Sequence, residues 1–168
     1  MNNKTLFLVG GALILLLLFY LIKIPVTICK VNNETFIIKN KNFQIEWIHS
    51  VEKEKWIEKY KRENNKLVLT NTILKAFGAG TPYNAKVINN NNESIELEIN
   101  RKLDNINLII SKEIKTTIII DKKEISLYKI FEPYTEMEIY VEKLNLINYY
   151  RKESLYEKFS GERYRKCR

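Results

Sequence analysis

The chain has few of the residues that build metal centres, disulfide frameworks and Gly-rich phosphate loops. Its 168 residues include two cysteines, one histidine, three prolines and five glycines. Cys29 and Cys167 lack the C-x-x-C or Cys/His spacing of a zinc site, and no dinucleotide fingerprint or Gly-Lys-Ser/Thr phosphate loop is present. We therefore expect no metal site, no cofactor and no disulfide-stapled fold.

The central part of the chain also lacks an excess of one charge. The net charge is +8, but residues 31–150 hold 18 basic and 17 acidic side chains, whereas residues 151–168 hold 7 and 3. A nucleic-acid-binding domain carries its basic stripe on the domain itself, so we expect no nucleic-acid partner. The basic end is suited to an anionic membrane surface or an acidic partner, and equally to a solvated tail.

Charge is absent altogether from the 17 residues Leu6–Ile22, which Lys4 and Lys23 bracket. As a helix this run would span about 26 Å, just short of the ~30 Å hydrocarbon layer. Lys23 can snorkel, which would extend the span through Ile24–Ile28. No small-residue pair follows for signal cleavage. The run predicts a retained signal anchor, a single-pass transmembrane helix in the cell membrane; the alternative is a buried core helix.

The predicted organisation has three parts. Residues 1–30 form an N-terminal tail and anchor, residues 31–143 form one domain, and residues 144–168 form a basic segment for which a helix is one option. A chain beginning near Val31 is then expected to be soluble. A positive-inside count puts the domain in the cytoplasm, but long domains translocate largely regardless of charge, so composition leaves the topology open.

Beyond the anchor, apolar and polar residues mostly alternate with a period of two. Such alternation predicts half-buried strands, as do runs rich in β-branched residues. Asn and Asp clusters between them predict turns. The sequence therefore predicts an all-β fold, an antiparallel β-sandwich or partly closed barrel preceded by one transmembrane helix. The predicted strands lie at residues 35–38, 43–47, 67–74, 95–99, 106–110, 116–120 and 137–141.

Two stretches are ambiguous. Residues 50–62 have high helix propensity, yet Trp56 and Tyr60 could also share one side of a strand, which we favour. Residues 144–159 are compatible with a basic amphipathic helix that lies on the membrane or packs across the sheet.

The first candidate site surrounds the only histidine. His49 stands beside Ser50, Glu52 and Lys53. If the segment is a strand, His49 falls on the apolar face while Ser50 and Glu52 point the other way, so the segment cannot form a Ser–His pair by itself. Glu58 is the best candidate partner for a functional His49. The alternative is a buried histidine whose hydrogen bonds are satisfied by Glu58 or a backbone carbonyl.

The second candidate site is the segment Gly78-Ala79-Gly80-Thr81-Pro82. Glycine permits positive φ and proline stiffens the exit, so such a loop can turn consecutive N–H groups toward an anion. The alternative is a tight turn after the preceding strand. Together with the histidine segment, this loop could form one binding surface for a ligand or a partner.

These motifs carry a resemblance. HSVEK at 49–53 with Glu58, then LVLTNT at 67–72 leading into AFGAGTP at 76–82, is similar to the bacterial family described as domain of unknown function 1850. The resemblance covers roughly residues 34–142. It implies a small protein with an N-terminal hydrophobic segment, encoded beside TRAP-type transporters of the TAXI class that take up small organic anions. It also favours a domain outside the cytoplasm, but it implies no known reaction.

The chain departs from the family pattern at two positions. Lys55 stands where proline is usual, and Asn71 stands where an acidic residue usually precedes Thr72. A catalytic carboxylate at position 71 is therefore excluded.

Three functions remain at this point. The first is a non-enzymatic, membrane-anchored accessory or binding module that contacts a TRAP-type transporter subunit or its solute receptor. The second is a hydrolase or transferase that uses His49 as base with Glu58 orienting it. The third is a structural spacer.

Overall fold

The structure, a computed structural model, describes residues 3–78, 80–82, 84–91 and 93–159. Its helices in these ranges are α1 (Asn3–Leu21), α2 (Leu127–Ile130), α3 (Leu146–Arg151) and α4 (Leu155–Phe159). Its strands are β1 (Lys23–Val31), β2 (Glu34–Ile38), β3 (Asn42–Ile48), β4 (Lys55–Glu63), β5 (Lys66–Leu74), β6 (Lys86–Asn90), β7 (Ile95–Leu103), β8 (Asn105–Ile109), β9 (Thr117–Ile120), β10 (Lys123–Ser126) and β11 (Glu136–Asn145).

The strands form two antiparallel sheets. The four-stranded sheet has the order β2-β1-β11-β8, and the seven-stranded sheet has the order β10-β9-β3-β4-β5-β7-β6. The predicted mostly β, antiparallel class is confirmed, and the described strands do not close into a barrel. All seven predicted strands are present, because their alternating side chains give each sheet one apolar face.

The inner faces of the two sheets share one apolar core. In β3, Phe43 and Ile45 are buried while the intervening Gln44 is partly exposed, as a period of two requires. A polar brace crosses the same interface: the Arg62 guanidinium donates to Thr27 Oγ1 at 3.0 Å and to the Ile38 carbonyl at 3.2 Å. The core residues of the four-stranded sheet include Cys29, Val31, Met137 and Ile139, and those of the seven-stranded sheet include Ile45, Tyr60, Leu67 and Ile118.

Strand β1 corrects the predicted extent of the anchor. Helix α1 ends at Leu21, and β1 lies at the centre of the four-stranded sheet, paired with β2 on one side and β11 on the other. The expected helical extension through Ile24–Ile28 is therefore wrong. Pairing begins at Lys23, upstream of the predicted domain boundary.

Strand β1 is buried on both faces. Cys29 packs in the core between the sheets, and burial raises the pKa of its thiol. Val26 and Ile28 pack with Leu144 on the opposite face. A central strand covered on both sides reads as a nearly continuous apolar run, which explains why this segment resembles the end of a hydrophobic anchor.

Helix α1 leaves large apolar side chains in contact with solvent, among them Phe7, Leu8, Leu13, Ile14 and Leu21. It contacts α3 and β11. Within the described residues, no helix has both the length and the apolar character needed to cross a membrane.

The C-terminal segment begins as a strand and continues as two short helices. β11 extends to Asn145, whose side chain accepts the N–H of Asn148 at 2.8 Å and caps α3. In α4, Leu155 is buried in the core and Phe159 packs edge-on against Phe36. Of the two alternatives, packing against the sheets applies to α4; residues 160–168 lie outside the described ranges.

Candidate functional site

The turn between β3 and β4 sets the position of the only histidine. The N–H of Lys53 donates to the carbonyl of His49 at 2.9 Å, and the N–H of His49 donates to the carbonyl of Glu54 at 2.8 Å. Lys53 has a φ of 57° and reverses the chain. Residues 49–53 thus form a single α-turn rather than a strand. Side chains three residues apart lie together on such a turn.

This turn brings His49 and Glu52 into contact through Nδ1 and a carboxylate oxygen. The prediction that these two side chains lie on opposite faces is therefore wrong, because it assumed an extended backbone. The His49 ring also stacks on the Trp56 indole, with centroids 4.7 Å apart and an interplanar angle of 22°. Its side chain is 18 % exposed. His49 is thus held between a carboxylate and an aromatic face.

Glu58 does not pair with His49 in this structure. It lies in β4 with Trp56 and Tyr60 on the inner face of the sheet, and it accepts a hydrogen bond from the Tyr60 hydroxyl. Burial raises the pKa of Glu58; the Tyr60 hydrogen bond and the positive charge of Arg101 act in the opposite direction without overcoming it. The pKa of Tyr60 is likewise raised, first by burial and then by Glu58.

The glycine loop is closed by its own hydrogen bonds. The N–H of Gly78 donates to Thr81 Oγ1 at 3.0 Å, and the N–H of Thr81 donates to the Gly78 carbonyl at 3.2 Å. Gly80 has a φ of +80°, a conformation that glycine adopts at little cost. The N–H groups of Gly78 and Thr81 are therefore engaged within the loop. Ala79 lies outside the described residues.

The two sequence motifs touch each other. A Cβ atom built on Gly78 would come 2.7 Å from Cδ of Glu52, so a larger residue would displace the carboxylate that contacts His49. A second tie joins the same two segments, because Lys75 Nζ lies 3.0 Å from Glu54 Oε1. The histidine turn and the glycine loop therefore form one continuous surface, although Ser50 and Lys53 are exposed on its outer side.

A groove of about 580 Å³ lies between this loop and the inner face of the seven-stranded sheet. This volume is in the range of small-molecule sites. The loop contributes Gly80, Pro82, Asn84 and Ala85, and the strands contribute Trp56, Glu58, Leu69, Thr72, Glu98, Ile99, Asn100 and Arg101. Of the predicted site residues, Glu58, Gly80 and Pro82 line it.

The groove exists because the seven-stranded sheet extends beyond the core that it shares with the other sheet. Trp56, Leu74, Ile95 and Leu97 form a separate buried cluster that packs against Ala85 from the loop. Among the described residues, no side chain of the four-stranded sheet belongs to this cluster. A loop covers the apolar surface here, and a loop fills space less completely than a second sheet.

Irregular strand pairing shapes the sheet beneath the groove. The register shifts between Lys59 and Tyr60 in the β4–β5 pair and between Leu69 and Asn71 in the β5–β7 pair. Bulges change which side chains share a face. Leu69 and Thr72 both line the groove although they are three residues apart, which regular alternation does not allow. The LVLTNT motif thus encodes a bulge.

Arg101 is the basic side chain of the groove lining, which also holds the carboxyl groups of Glu58 and Glu98. Its side chain is exposed, and within the described ranges its guanidinium has no hydrogen bond or ion pair, although it acts electrostatically on Glu58 and Tyr60. Glu98 lies 4.0 Å from Lys86 and accepts a hydrogen bond from Asn100 at 2.7 Å. The groove therefore combines an apolar aromatic surface, a partnered carboxyl group and an unpaired guanidinium.

The model of one protein family, a domain of unknown function named DUF1850, matches residues 43–127. The chain belongs to the DUF1850 family. The matched range begins at the second residue of β3 and runs through β10. It therefore includes the seven-stranded sheet and β8 of the other sheet, whereas β1, β2 and β11 lie outside it. Comparison with curated proteins and with solved structures gives no match.

Sequence reasoning missed most of the lining of this DUF1850 groove, including Trp56 as its aromatic wall, Thr72 and Arg101. A signal for Arg101 was present, because residues 31–150 contain 18 basic side chains of which only Arg62 and Arg101 are arginine. Arginine is needed where a planar, multidentate donor is required, and Arg62 fills such a place between the sheets.

The side chains considered for catalysis, His49, Glu58 and Thr81, do not converge in the described part of the DUF1850 site. His49 is stacked on Trp56, Glu58 is bonded to Tyr60, and the Thr81 hydroxyl accepts a backbone N–H. In the part of the chain that the structure describes, no three His, Cys, Asp or Glu side chains are grouped to hold a metal ion.

Proposed function

We propose that this DUF1850 protein is a membrane-held, non-enzymatic binding module whose groove beneath the glycine loop recognises a small ligand. The observation that carries the proposal is the groove itself, which the glycine loop and the inner face of the seven-stranded sheet form with an apolar aromatic surface; the His49 ring stacks on its wall residue Trp56. A structural spacer would need neither a groove nor an unpaired guanidinium.

The hydrolase or transferase alternative is less well supported. It requires His49 and Glu58 within hydrogen-bond reach of each other and of a nucleophile. His49 instead contacts Glu52 and stacks on Trp56, while Glu58 accepts from Tyr60. These contacts suit a side chain that fixes the shape of the site better than one that exchanges protons with a substrate.

The membrane part of the proposal concerns α1. Its exposed apolar side chains, including Phe7, Leu8 and Leu13, have no cover in the described chain that would remove them from water. An apolar patch of this kind is suited to a lipid or protein environment. We propose that α1 anchors the protein in the cell membrane with the β-domain outside the cytoplasm.

Alkaline carbonate washing of membranes tests the anchor. We expect the full chain to stay with the vesicles and a chain that begins at Lys23 to be released. Protease added to intact cells should degrade the β-domain of the full chain. Extraction of the full chain by carbonate, or protection of the domain from protease, would exclude that part of the proposal.

The partner that we propose is a TRAP-type transporter subunit of the TAXI class or its solute receptor, on the basis of the family resemblance. Affinity purification of the full chain from membranes should enrich such a subunit. Lys102→Gln, on an exposed residue next to Arg101, is the matched control for Arg101→Gln, which alters the groove. Absence of enrichment would contradict the proposed partner. Equal enrichment with both variants would mean that the partner does not bind through the groove.

A further inference from the structure

We infer that the groove binds a small molecule bearing a carboxylate, and that the guanidinium of Arg101 is the group that holds it. The inference rests on the proposed binding function and adds the chemical class of the ligand. It follows from the charges that remain unmatched in the groove, from the apolar surface beside them, and from the geometry of arginine.

Within the described residues, Arg101 is the charged group of the groove lining that lacks a hydrogen bond or ion pair. Glu98 is engaged by Lys86 and Asn100, and Glu58 accepts the Tyr60 hydroxyl. Arg101 acts electrostatically on both Glu58 and Tyr60 but forms no ion pair with a described carboxylate within 4.0 Å. An anion that enters the groove thus meets a guanidinium whose donors are available, whereas the two carboxyl groups of the lining already accept hydrogen bonds.

The neighbouring carboxyl group does not cancel this preference. Glu58 is half-buried among the inner-face residues, and burial disfavours its charged form. Glu58 and Arg101 form no ion pair within 4.0 Å, so this carboxyl group does not occupy the guanidinium. The titratable and charged groups that act on Glu58 are Tyr60 on the same strand and Arg101 on β7; Glu98 also lines the groove.

A carboxylate fits better than other anions because of the rest of the lining. A guanidinium binds a carboxylate through two parallel hydrogen bonds. Trp56, Leu69 and Ile99 supply apolar surface next to Arg101, which suits an organic group and does not suit a fully hydrated inorganic ion. The expected ligand is therefore a small organic acid with an apolar or aromatic body.

Binding of benzoate and benzamide to the full chain in detergent micelles tests the inference. The two probes have the same shape and differ in charge, and the tryptophan fluorescence that reports binding comes from Trp56 on the groove wall together with the neighbouring Trp47. We expect benzoate, and not benzamide, to change the fluorescence saturably. Arg101→Gln should weaken benzoate binding at least about tenfold, and Arg101→Lys should restore only part of it.

Lys102→Gln is the control, since it removes a positive charge next to Arg101 without altering the groove lining; it should change the affinity less than about twofold. Equal binding of benzamide, equal competition by inorganic phosphate, or unchanged binding in Arg101→Gln would overturn the inference. Absence of benzoate and succinate binding at millimolar concentration would also overturn it. Partner enrichment that still depends on the groove would then leave the binding function standing.

Discussion

The two sheets of this protein have different inner faces. The four-stranded sheet turns apolar residues such as Cys29, Met137 and Ile139 toward the core, with Thr27 as a buried polar exception that is bonded to Arg62. The seven-stranded sheet carries Glu58 and Tyr60 on the corresponding face. One sheet can be understood from packing alone, while the other keeps polar groups that packing does not require.

The difference follows from size. Where the sheets overlap, side chains from both fill one core. Where the seven-stranded sheet extends past this core, the loop residues Gly80, Pro82, Asn84 and Ala85 lie over it, and a groove remains beside the Trp56 cluster. The bulges of the β4–β5 and β5–β7 pairs lie at the edge of the shared core, to which Tyr60 and Leu69 belong. Binding sites are expected where regular packing ends, because only there can polar groups face a ligand.

The family match follows the same division. It covers the seven-stranded sheet and leaves out β1, β2 and β11 of the four-stranded sheet. Strand β1, one of these three unmatched strands, follows directly after α1. We interpret the seven-stranded sheet as the recognition layer and the four-stranded sheet as the support that joins it to the N-terminal helix.

The largest expected effect comes from removing the central strand of the support. A chain that begins at Lys23 keeps β1, whereas a chain that begins at Asn32 loses it and exposes the core-facing sides of β2 and β11. We expect the first chain to be soluble with a cooperative thermal transition by circular dichroism, and the second to lack that transition. We therefore now expect a soluble domain from a chain that begins at Lys23, and no longer from one that begins near Val31.

If the chain beginning at Asn32 folds, the seven-stranded sheet does not need β1 and an intact four-stranded sheet for its stability. Titration of tryptophan fluorescence in that chain would show whether the groove also survives. Size-exclusion chromatography serves as the control for aggregation in both chains.

The next effect concerns the brace between the sheets. Arg62→Met keeps the apolar stem but leaves the buried Thr27 hydroxyl and two carbonyls without the guanidinium. We expect a loss of about 2 to 4 kcal/mol in the free energy of unfolding, measured by urea denaturation. Lys61→Met, on the opposite face of the same strand, should change it by less than about 0.5 kcal/mol. Equal effects would mean that the brace adds nothing to the contact between the sheets.

Much of the seven-stranded sheet could be predicted from the sequence, because strand alternation is local information. Residues 43–47 and 95–99 follow it closely, whereas residues 67–74 form a β-branched run interrupted by a bulge. β1 was missed because a strand buried on both faces has no alternation. Pro25 and the β-branched Val26, Thr27 and Ile28 were the available signals against a helix there.

The site was harder to predict because it depends on turns and on register. The pairing of His49 with Glu52 arises from an α-turn, which an extended backbone cannot produce. The approach of Gly78 to Glu52 joins segments that are far apart in the chain. Arg101 reaches the groove through a bulged strand pair. Sequence patterns indicated which segments matter, and the fold determined which of their atoms meet.

A third prediction tests whether His49 stabilises the structure beside the groove or contacts the ligand. His49→Ala removes the stacking on Trp56 and the contact with Glu52. We expect a loss of about 1 to 3 kcal/mol in stability by thermal unfolding. Ser50→Ala, on an exposed residue of the same turn, should have little effect. An unchanged melting curve together with lost ligand binding would make His49 a contact residue and would overturn the structural interpretation.

The smallest expected change in stability concerns Glu58, the partly buried carboxyl group on the inner face of the seven-stranded sheet. The folded-state pKa of Glu58 lies above its ordinary value of 4.5 because burial disfavours the charged form. Such a group supports the fold fully below its unfolded-state pKa, and that support is lost as the pH rises through the folded-state pKa. Burial of the charged form therefore carries a penalty at higher pH, which Glu58→Gln removes while keeping an acceptor for Tyr60.

We expect Glu58→Gln to raise the stability by about 1 kcal/mol at pH 7, with the difference shrinking to zero as the pH falls below 4.5. Urea denaturation across this range measures it. Glu96→Gln is the control, since Glu96 pairs with Lys59 at 2.7 Å and its loss should lower the stability slightly at pH 7. If Glu58→Gln destabilises the protein at pH 7 instead, attraction between Glu58 and Arg101 outweighs burial. Glu58 would then already be the counter-charge of Arg101. The seven-stranded sheet would in that case resemble the four-stranded sheet, because the polar groups on its inner face would be paired with each other.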